Sequence, residues 1–382
     1  MKKIVLISRF NTNNIGDIVI ANTLKRDLSQ IGNVECISLF GRPKTQMNMN
    51  KIIRYAHKNL IPKLFKNAIR KVQNELFLRL GIKEKSIIVL GGGNMMVDVN
   101  TTTRSANRYV PYIKAAKPKN CMLIALDIGI GPFCTDRQRK AAIDILNNMD
   151  FISFRDRSSQ KIYEEARGIS PHCISIDPAF FYRSRVEEKT LSVKRRVGIN
   201  LLNLYLVEYD KKYVTNVLRG YQILGEMIAG LLGAEIYFYI TDEADIPFLE
   251  EIANFNFKEK CYVKYIEGVK DLLAFYDEMD VIVGTRMHSM ILAYSRRTPC
   301  VGLKWQQKVE DLFLLLESGD KLFPFDDLVN KPDKIILAIS KIYDNYELEQ
   351  KHITNIYRKL NEIRVISYKD FTQIVREKLN EN

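Results

Sequence analysis

Arg286 and His288 stand one residue apart in VGTRMHS, directly after the apolar run DVIVG, and Lys308 follows the next apolar run, PCVGL. Histidine is the side chain that gains and loses a proton near neutral pH. Arginine and lysine beside it supply fixed positive charge, and a guanidinium can hold a carboxylate or phosphate through paired hydrogen bonds. The trio suggests proton transfer to or from a small anion, with His288 as general acid or base and Arg286 and Lys308 as anion ligands. Ser289, next in the same motif, joins them as a substrate-binding candidate. A lone histidine is more often structural than catalytic, and here the cationic company favours catalysis. His57, His172 and His352 lack that company and are expected at the surface.

Five further motifs follow apolar runs in the same way. In NNIGD, whose last four residues are Asn14 to Asp17, Gly16 permits a tight turn and Asp17 is expected to cap the next helix. That helix start also offers N–H groups to an anion or to sugar hydroxyls, which makes Asn14 and Asp17 binding candidates. In GGGNMM, the glycines Gly91, Gly92 and Gly93 allow close approach of a ligand or of a neighbouring helix, and Asn94 can bond a hydroxyl. The run is neither a GxGxxG fingerprint nor a phosphate-binding P-loop, since the Lys-Ser/Thr pair is missing. DIGIGPF, Asp127 to Phe133, is another glycine-rich exit. In SFRDRSS, Arg155 leaves a strand ahead of a helix expected to be capped by Ser158 or Ser159. Arg155 suits a carboxylate or phosphate; a salt bridge to Asp156 or another acid is the structural alternative. In IDPAF, Pro178 restricts Asp177 to extended geometry, and Asp177 is a candidate base or sugar ligand.

These residues need elements to hold them. Apolar runs of four to eight residues joined by helical patterns imply βαβ units and parallel sheets. KKIVLIS, VECISLF, SIIVLGGG, CMLIALDIG and FISF are the expected strands of the first half. RVGINLL, EIYFYI, CYVKYI, VIVG and CVGL are those of the second. Between them RSRVEEKTLSVKRR is charged and lacks apolar periodicity, which places a boundary near residues 182–195. The expected architecture is α/β, with two doubly wound, Rossmann-like parallel-sheet domains facing a cleft. The domains span 1–185 (the acceptor side) and 186–333 (the donor side), and C-terminal helices over 334–382 pack back across the junction. Ligands in such sheets bind beyond the carboxyl ends of the strands, where every motif above falls.

At 382 residues the chain exceeds what a single core usually supports. Lys and Arg total 58 and Asp and Glu total 45, a net of +13, which favours anionic partners. Nucleic acid is not expected, because no recognition module is present and no basic run carries interleaved aromatics. The six cysteines form no CxxC pair and no histidine completes a zinc spacing, so no metal is expected and the thiols suit a reducing compartment. The apolar run Ile4–Ile7 is shorter than the roughly 7–15 residues of a signal peptide core. No stretch approaches the roughly 20 apolar residues of a membrane span. A cytoplasmic protein is expected. The basic stretch Lys51–Arg79, interrupted by Pro62, has the pattern of an interfacial helix, so peripheral contact with the inner membrane face is part of the expectation.

Taken in order, NNIGD, VLGGGNMM, LDIGIGP, SFRDRSS, IDPAF and VGTRMHS…TPCVGLKWQQK resemble the polysaccharide pyruvyl transferase family across nearly the whole chain. The resemblance implies a GT-B-like fold and transfer of a pyruvyl group from phosphoenolpyruvate to a sugar, giving a cyclic ketal. The acceptor would be a cell-surface polysaccharide or its lipid-linked precursor. It also implies that Arg155, His288 and Lys308 handle phosphoenolpyruvate, with Arg286 in the same motif. The last block departs from the family's aromatic-Asp/Asn-x-Lys pattern, reading Trp305, Gln306, Gln307, Lys308, which leaves Lys304 as the fallback. No cofactor is implied beyond the donor substrate. The alternative enzyme is a GT-B glycosyltransferase using a nucleotide sugar, and the non-enzymatic alternative is a membrane-peripheral scaffold for glycan assembly.

Overall fold

The computed structural model describes residues 3–39, 82–98, 100–167, 169–207 and 211–380. The basic stretch Lys51–Arg79 and His57 lie outside the described residues. By contact the chain forms two compact units. The first comprises Met1–Thr12, Ala21–Asp177 and Val365–Asn382, the second Asn13–Ile20 and Pro178–Arg364.

In the first unit the apolar runs pair as parallel strands: β1 (Ile4–Ser8), β2 (Val34–Ser38), β3 (Ile87–Asp98), β4 (Met122–Phe133), β5 (Phe151–Phe154) and β6 (Cys173–Ile174). Their order is β2-β1-β3-β4-β5-β6. Among the described residues the connecting helices are α1 (Ile15–Ser29), α2 (Val110–Ala116), α3 (Asp136–Leu146) and α4 (Arg157–Arg167). Strands covered on both faces must be apolar throughout, and every residue of β1 and β5 is buried. Ile88, Leu90, Leu123, Phe154 and Tyr163 meet in the core that results. Thr135 starts α3 with a capping box, its hydroxyl accepting from the Gln138 N–H while Gln138 answers the Thr135 N–H. The direction of chain progression across the sheet reverses between β1 and β3.

The second unit repeats the plan with β7 (Arg196–Asn200), β8 (Glu235–Tyr239), β9 (Cys261–Val263), β10 (Val281–Gly284), β11 (Cys300–Lys304) and β12 (Leu322–Pro324), all parallel. Their order is β12-β11-β10-β7-β8-β9, with the reversal between β7 and β10. The longer helices are α5 (Lys211–Leu232), α6 (Ile246–Ala253), α7 (Val269–Glu278), α8 (Met287–Ser295), α9 (Gln307–Leu315), α10 (Pro332–Asp344) and α11 (Tyr346–Asn380), with a single helical turn at Asp327–Asn330. Helix α5 buries Val214, Val217, Leu218, Tyr221, Leu224 and Ile228, the spacing of one helical face. That face packs with Val197, Ile199, Phe238 and Val283.

Among the described residues, no helix is long and apolar enough to cross a membrane, and no group of His, Cys, Asp or Glu is arranged to hold a metal.

Candidate active site

In the second unit the motif VGTRMHS leaves β10 beside β7, at the point where strand order reverses and parallel sheets receive ligands. Asn200, the last residue of β7, fixes the exit. Its carbonyl accepts from Thr285 Oγ1 at 2.9 Å and its Oδ1 from the Arg286 N–H at 3.1 Å. Arg286 is extended and immediately precedes α8, so His288 lies in that helix's first turn.

The Arg286 guanidinium is engaged by acids. Its Nε donates to Asp245 Oδ2 at 2.9 Å and its Nη2 to Asp245 Oδ1 at 2.6 Å, a bidentate pair. Nη1 lies 4.0 Å from Asp242 Oδ2. Asp245 is fully buried. Burial pushes its carboxyl up from the ordinary value, against the opposing pull of Arg286 and of the Asn203 N–H. Arg286 therefore brings its counter-charge with it, whereas its residue type alone suggests an open anion ligand.

His288 lies against the NNIGD motif, which falls within the segment 13–20 of the same unit. A Cβ at position 16 would fall 2.6 Å from the His288 Cβ and closer still to its ring atoms, so the imidazole occupies the space that glycine leaves. The expected cap of α1 needs correcting. Asn14 is the cap, its Oδ1 accepting from the Asp17 N–H at 3.2 Å, and Asp17 is a buried first-turn residue. Asn14 also donates through Nδ2 to Asp242 Oδ2 at 2.6 Å.

Ser289 is fully buried, with its hydroxyl 2.6 Å from Tyr239 Oη and 3.0 Å from Tyr276 Oη. Desolvation holds both phenols well above the ordinary tyrosine range. The sequence offered Ser289 as a substrate ligand; the structure places its hydroxyl in this internal network. Lys308, in the first turn of α9, is buried with 8% exposure. Lys304 pairs with Glu310 at 2.6 Å, and the same carboxylate accepts from Gln307. The Lys304 hydrogen bond, with that of Gln307, holds the Glu310 carboxyl below its ordinary value. Lys304 is thus committed to a solvent-side ion pair, and Lys308 is the cation that the fold buries. Trp305 Nε1 donates to the Thr285 carbonyl at 2.8 Å, tying the exits of β11 and β10 together.

In the first unit, residues of four of the sequence motifs converge. Ser8 Oγ donates to the Gly91 carbonyl at 2.8 Å, and Arg9 Nη2 to the Asn94 carbonyl at 2.9 Å, at the reversal between β1 and β3. Gly91 is required by packing: a Cβ there would lie 2.8 Å from Leu6 and from Leu24. Gly92 and Gly93 have φ of 70° and 80°, the left-handed region that other residues rarely enter. These facts assign the neighbouring-helix role to Gly91 and a left-handed backbone within β3 to Gly92 and Gly93.

Arg155 follows β5, buried at 5% exposure. Its Nη1 is ion-paired with Asp177, and its Nε lies 3.8 Å from Asp156 Oδ2. The salt-bridge alternative for Arg155 is therefore what the fold builds, and it joins two of the candidates from separate motifs. The Cβ position of Gly129 lies 3.1 Å from Arg155 Nε, 3.2 Å from Asn94 Oδ1 and 3.2 Å from Asp156 Oδ2, so these polar groups gather at one point. Helix α4 is capped by Asp156, whose Oδ1 accepts from the Ser159 N–H at 2.7 Å. This corrects the expected serine cap: the hydroxyl of Ser159 instead accepts from the Ile130 N–H at 2.8 Å. Of the histidines expected at the surface, His172 is there and His352 is not fully so. His172 is exposed but its Nδ1 accepts from the Ile152 N–H, and His352 is partly buried beside the Leu316 carbonyl and Ser318.

Asn200, Asp242 and Asp245 were not singled out by sequence reasoning. All three end or follow expected strands, RVGINLL and EIYFYI, so the rule that found Arg155 and His288 reaches them when applied to every strand exit.

The family model described as polysaccharide pyruvyl transferase matches residues 14–307. Among curated proteins none matches the sequence. Solved structures share the fold at low identity. Alpha,alpha-trehalose 6-phosphate synthase from Burkholderia multivorans superposes with a TM-score of 0.57 at 12% identity, covering 98% of this chain and 96% of that one. S. aureus MnaA, solved with UDP, gives 0.55 at 14% identity, covering 94% and 92%. The UDP-GlcNAc 2-epimerase of Methanocaldococcus jannaschii, solved with UDP-GlcNAc and UDP, gives 0.54 at 15% identity, covering 96% and 100%. These are GT-B-type architectures, the fold expected from the sequence.

Proposed function

Because the chain belongs to the polysaccharide pyruvyl transferase family, we propose that it transfers a pyruvyl group from phosphoenolpyruvate to two hydroxyls of a glycan, forming a ketal and releasing phosphate. The observation that carries this reading is His288, set at the reversal point of a parallel sheet, with the buried Lys308 after the adjacent strand. The reaction needs a proton on the methylene carbon of the donor, attack of a sugar hydroxyl on the adjacent carbon, and departure of phosphate. A second hydroxyl then closes the ring. His288 is the proton donor in this scheme. Lys308 holds the donor's anionic groups, and this fixed cation stabilises the departing phosphate; for Arg155 the family resemblance alone implies a part in handling the donor. Arg286 contributes Nη1, the arm that Asp245 leaves out of its bidentate grip. Asn94 and Asp177 serve the acceptor hydroxyls. The glycan is a cell-surface polysaccharide or its lipid-linked precursor, met at the cytoplasmic face of the membrane.

The test is a comparison of products. Purified protein is incubated with phosphoenolpyruvate and a panel of free and lipid-linked glycans, and separately with nucleotide sugars. Phosphate release that depends on both phosphoenolpyruvate and glycan, lost in His288→Ala, is the expected result. Nucleoside diphosphate release from nucleotide sugars, with no turnover of phosphoenolpyruvate, would move the chain to the glycosyltransferases.

A further inference from the structure

The chain's N-terminal motif and a loop more than two hundred residues later grip each other beside His288. Residues 13–20 group with the second unit although the chain around them belongs to the first. Asn14 forms an antiparallel bridge with Asp242. The Ile15 N–H donates to the Thr241 carbonyl at 3.1 Å, and the Glu243 N–H to the Asn13 carbonyl at 3.4 Å. Side chains repeat the grip: Asn14 Nδ2 on Asp242 Oδ2 and Asn13 Nδ2 on Glu243. The backbone so held is the surface on which the His288 imidazole rests, at Gly16. The same loop reaches the other half of the Arg-x-His motif, through Asp245 on Arg286 and Asp242 at 4.0 Å from it.

The geometry points to a clasp: Asn14 and Asp242 are positioning residues that fix the His288 ring by holding Gly16 against it. This rests on the reading of His288 as the proton donor, and it assigns a role to two residues that touch no reacting atom. Asn14 has two separable duties. Its Oδ1 caps α1, and its Nδ2 closes the clasp. Serine at 14 retains a capping oxygen and is too short to reach Asp242. Asparagine at 242 retains an acceptor for Asn14, whereas alanine does not.

The experiment uses the full chain labelled with ¹⁵N-histidine, with His288→Gln to assign the ring. In Asn14→Ser and Asp242→Ala the His288 cross-peaks are expected to move and the other histidines to stay in place. In Asp242→Asn they stay near wild type. In turnover with phosphoenolpyruvate, kcat is expected to fall on the order of tenfold or more in Asn14→Ser and in Asp242→Ala, with KM little changed. The double variant falls no further, because both changes remove one interaction. Unmoved His288 peaks in both single variants, or losses that multiply in the double, would overturn the clasp. If the peaks move while wild type makes no ketal, the clasp stands and the pyruvyl-transfer reading falls.

Discussion

The imidazole of His288 depends on a missing side chain. Gly16 leaves the volume that the ring fills, and a single methyl there meets Cβ as well as ring atoms. The ring cannot simply swing aside at its far end, so Gly16→Ala is expected to displace it. A displacement near 1 Å costs on the order of 100-fold in rate. Steady-state kinetics beside circular dichroism checks this; unchanged kcat in a folded Gly16→Ala protein would show that the contact is unimportant. A similar contrast separates the two lysines. Lys308→Met is expected to raise KM for phosphoenolpyruvate strongly, and Lys304→Met to leave it near wild type, because Lys304 already serves Glu310. Equal effects would contradict that division. Asp245 belongs to stability as well as to the site. Asp245→Ala strips a buried partner from Arg286, and breaking such a pair costs about 3–5 kcal/mol. A loss under about 1 kcal/mol in urea unfolding would show that solvent reaches the guanidinium freely.

The elements show which features were legible in the sequence. All ten strands read from apolar runs are present, since strands covered on both faces must be apolar throughout. The strands missed, β6 and β12, have two and three residues and lie at sheet edges, where no run of apolar residues is needed. Helices α2 and α9 and the helical turn Asp327–Asn330 were missed as well; they are seven, nine and four residues long, too short for strong periodicity. The caps were misread at Asp17 and at Ser158 or Ser159, because several residues near each helix start can cap and only the fold selects one. The candidate residues were chosen by type and by their place at strand exits, and their partners in the fold were not legible. Nothing local links Arg155 to Asp177 or Arg286 to Asp245.

The charged segment near 182–195 hides a comparable surprise, since Lys189 is buried. Its ammonium donates to the carbonyls of Tyr276 and Met279, in the last turn of α7 and just beyond it, and to Thr298 Oγ1. Burial lowers its pKa from 10.5 to about 8, against the opposing pull of Asp280 and Asp277. The folded state therefore binds fewer protons than the unfolded state between those values, so this contribution to stability rises with pH through that window. Relative to Lys189→Met, wild type is expected to gain about 2 kcal/mol between pH 7.5 and pH 10. A parallel pH dependence of the two proteins in denaturant titrations would contradict the burial of the charge.

At the scale of the whole molecule, the net charge of +13 suits a donor carrying a carboxylate beside a phosphate. Its family gives the chain a reaction class, and its two parallel-sheet units give it strand exits on which to place the residues. The central claim is that a proton passes to the methylene carbon of phosphoenolpyruvate and that His288 delivers it. Turnover in D₂O tests this directly, with the ketal analysed by mass spectrometry. The expected product carries one deuterium in its new methyl group, formed by wild type and lost in His288→Gln. A ketal without deuterium, or undiminished labelling in His288→Gln, would contradict it.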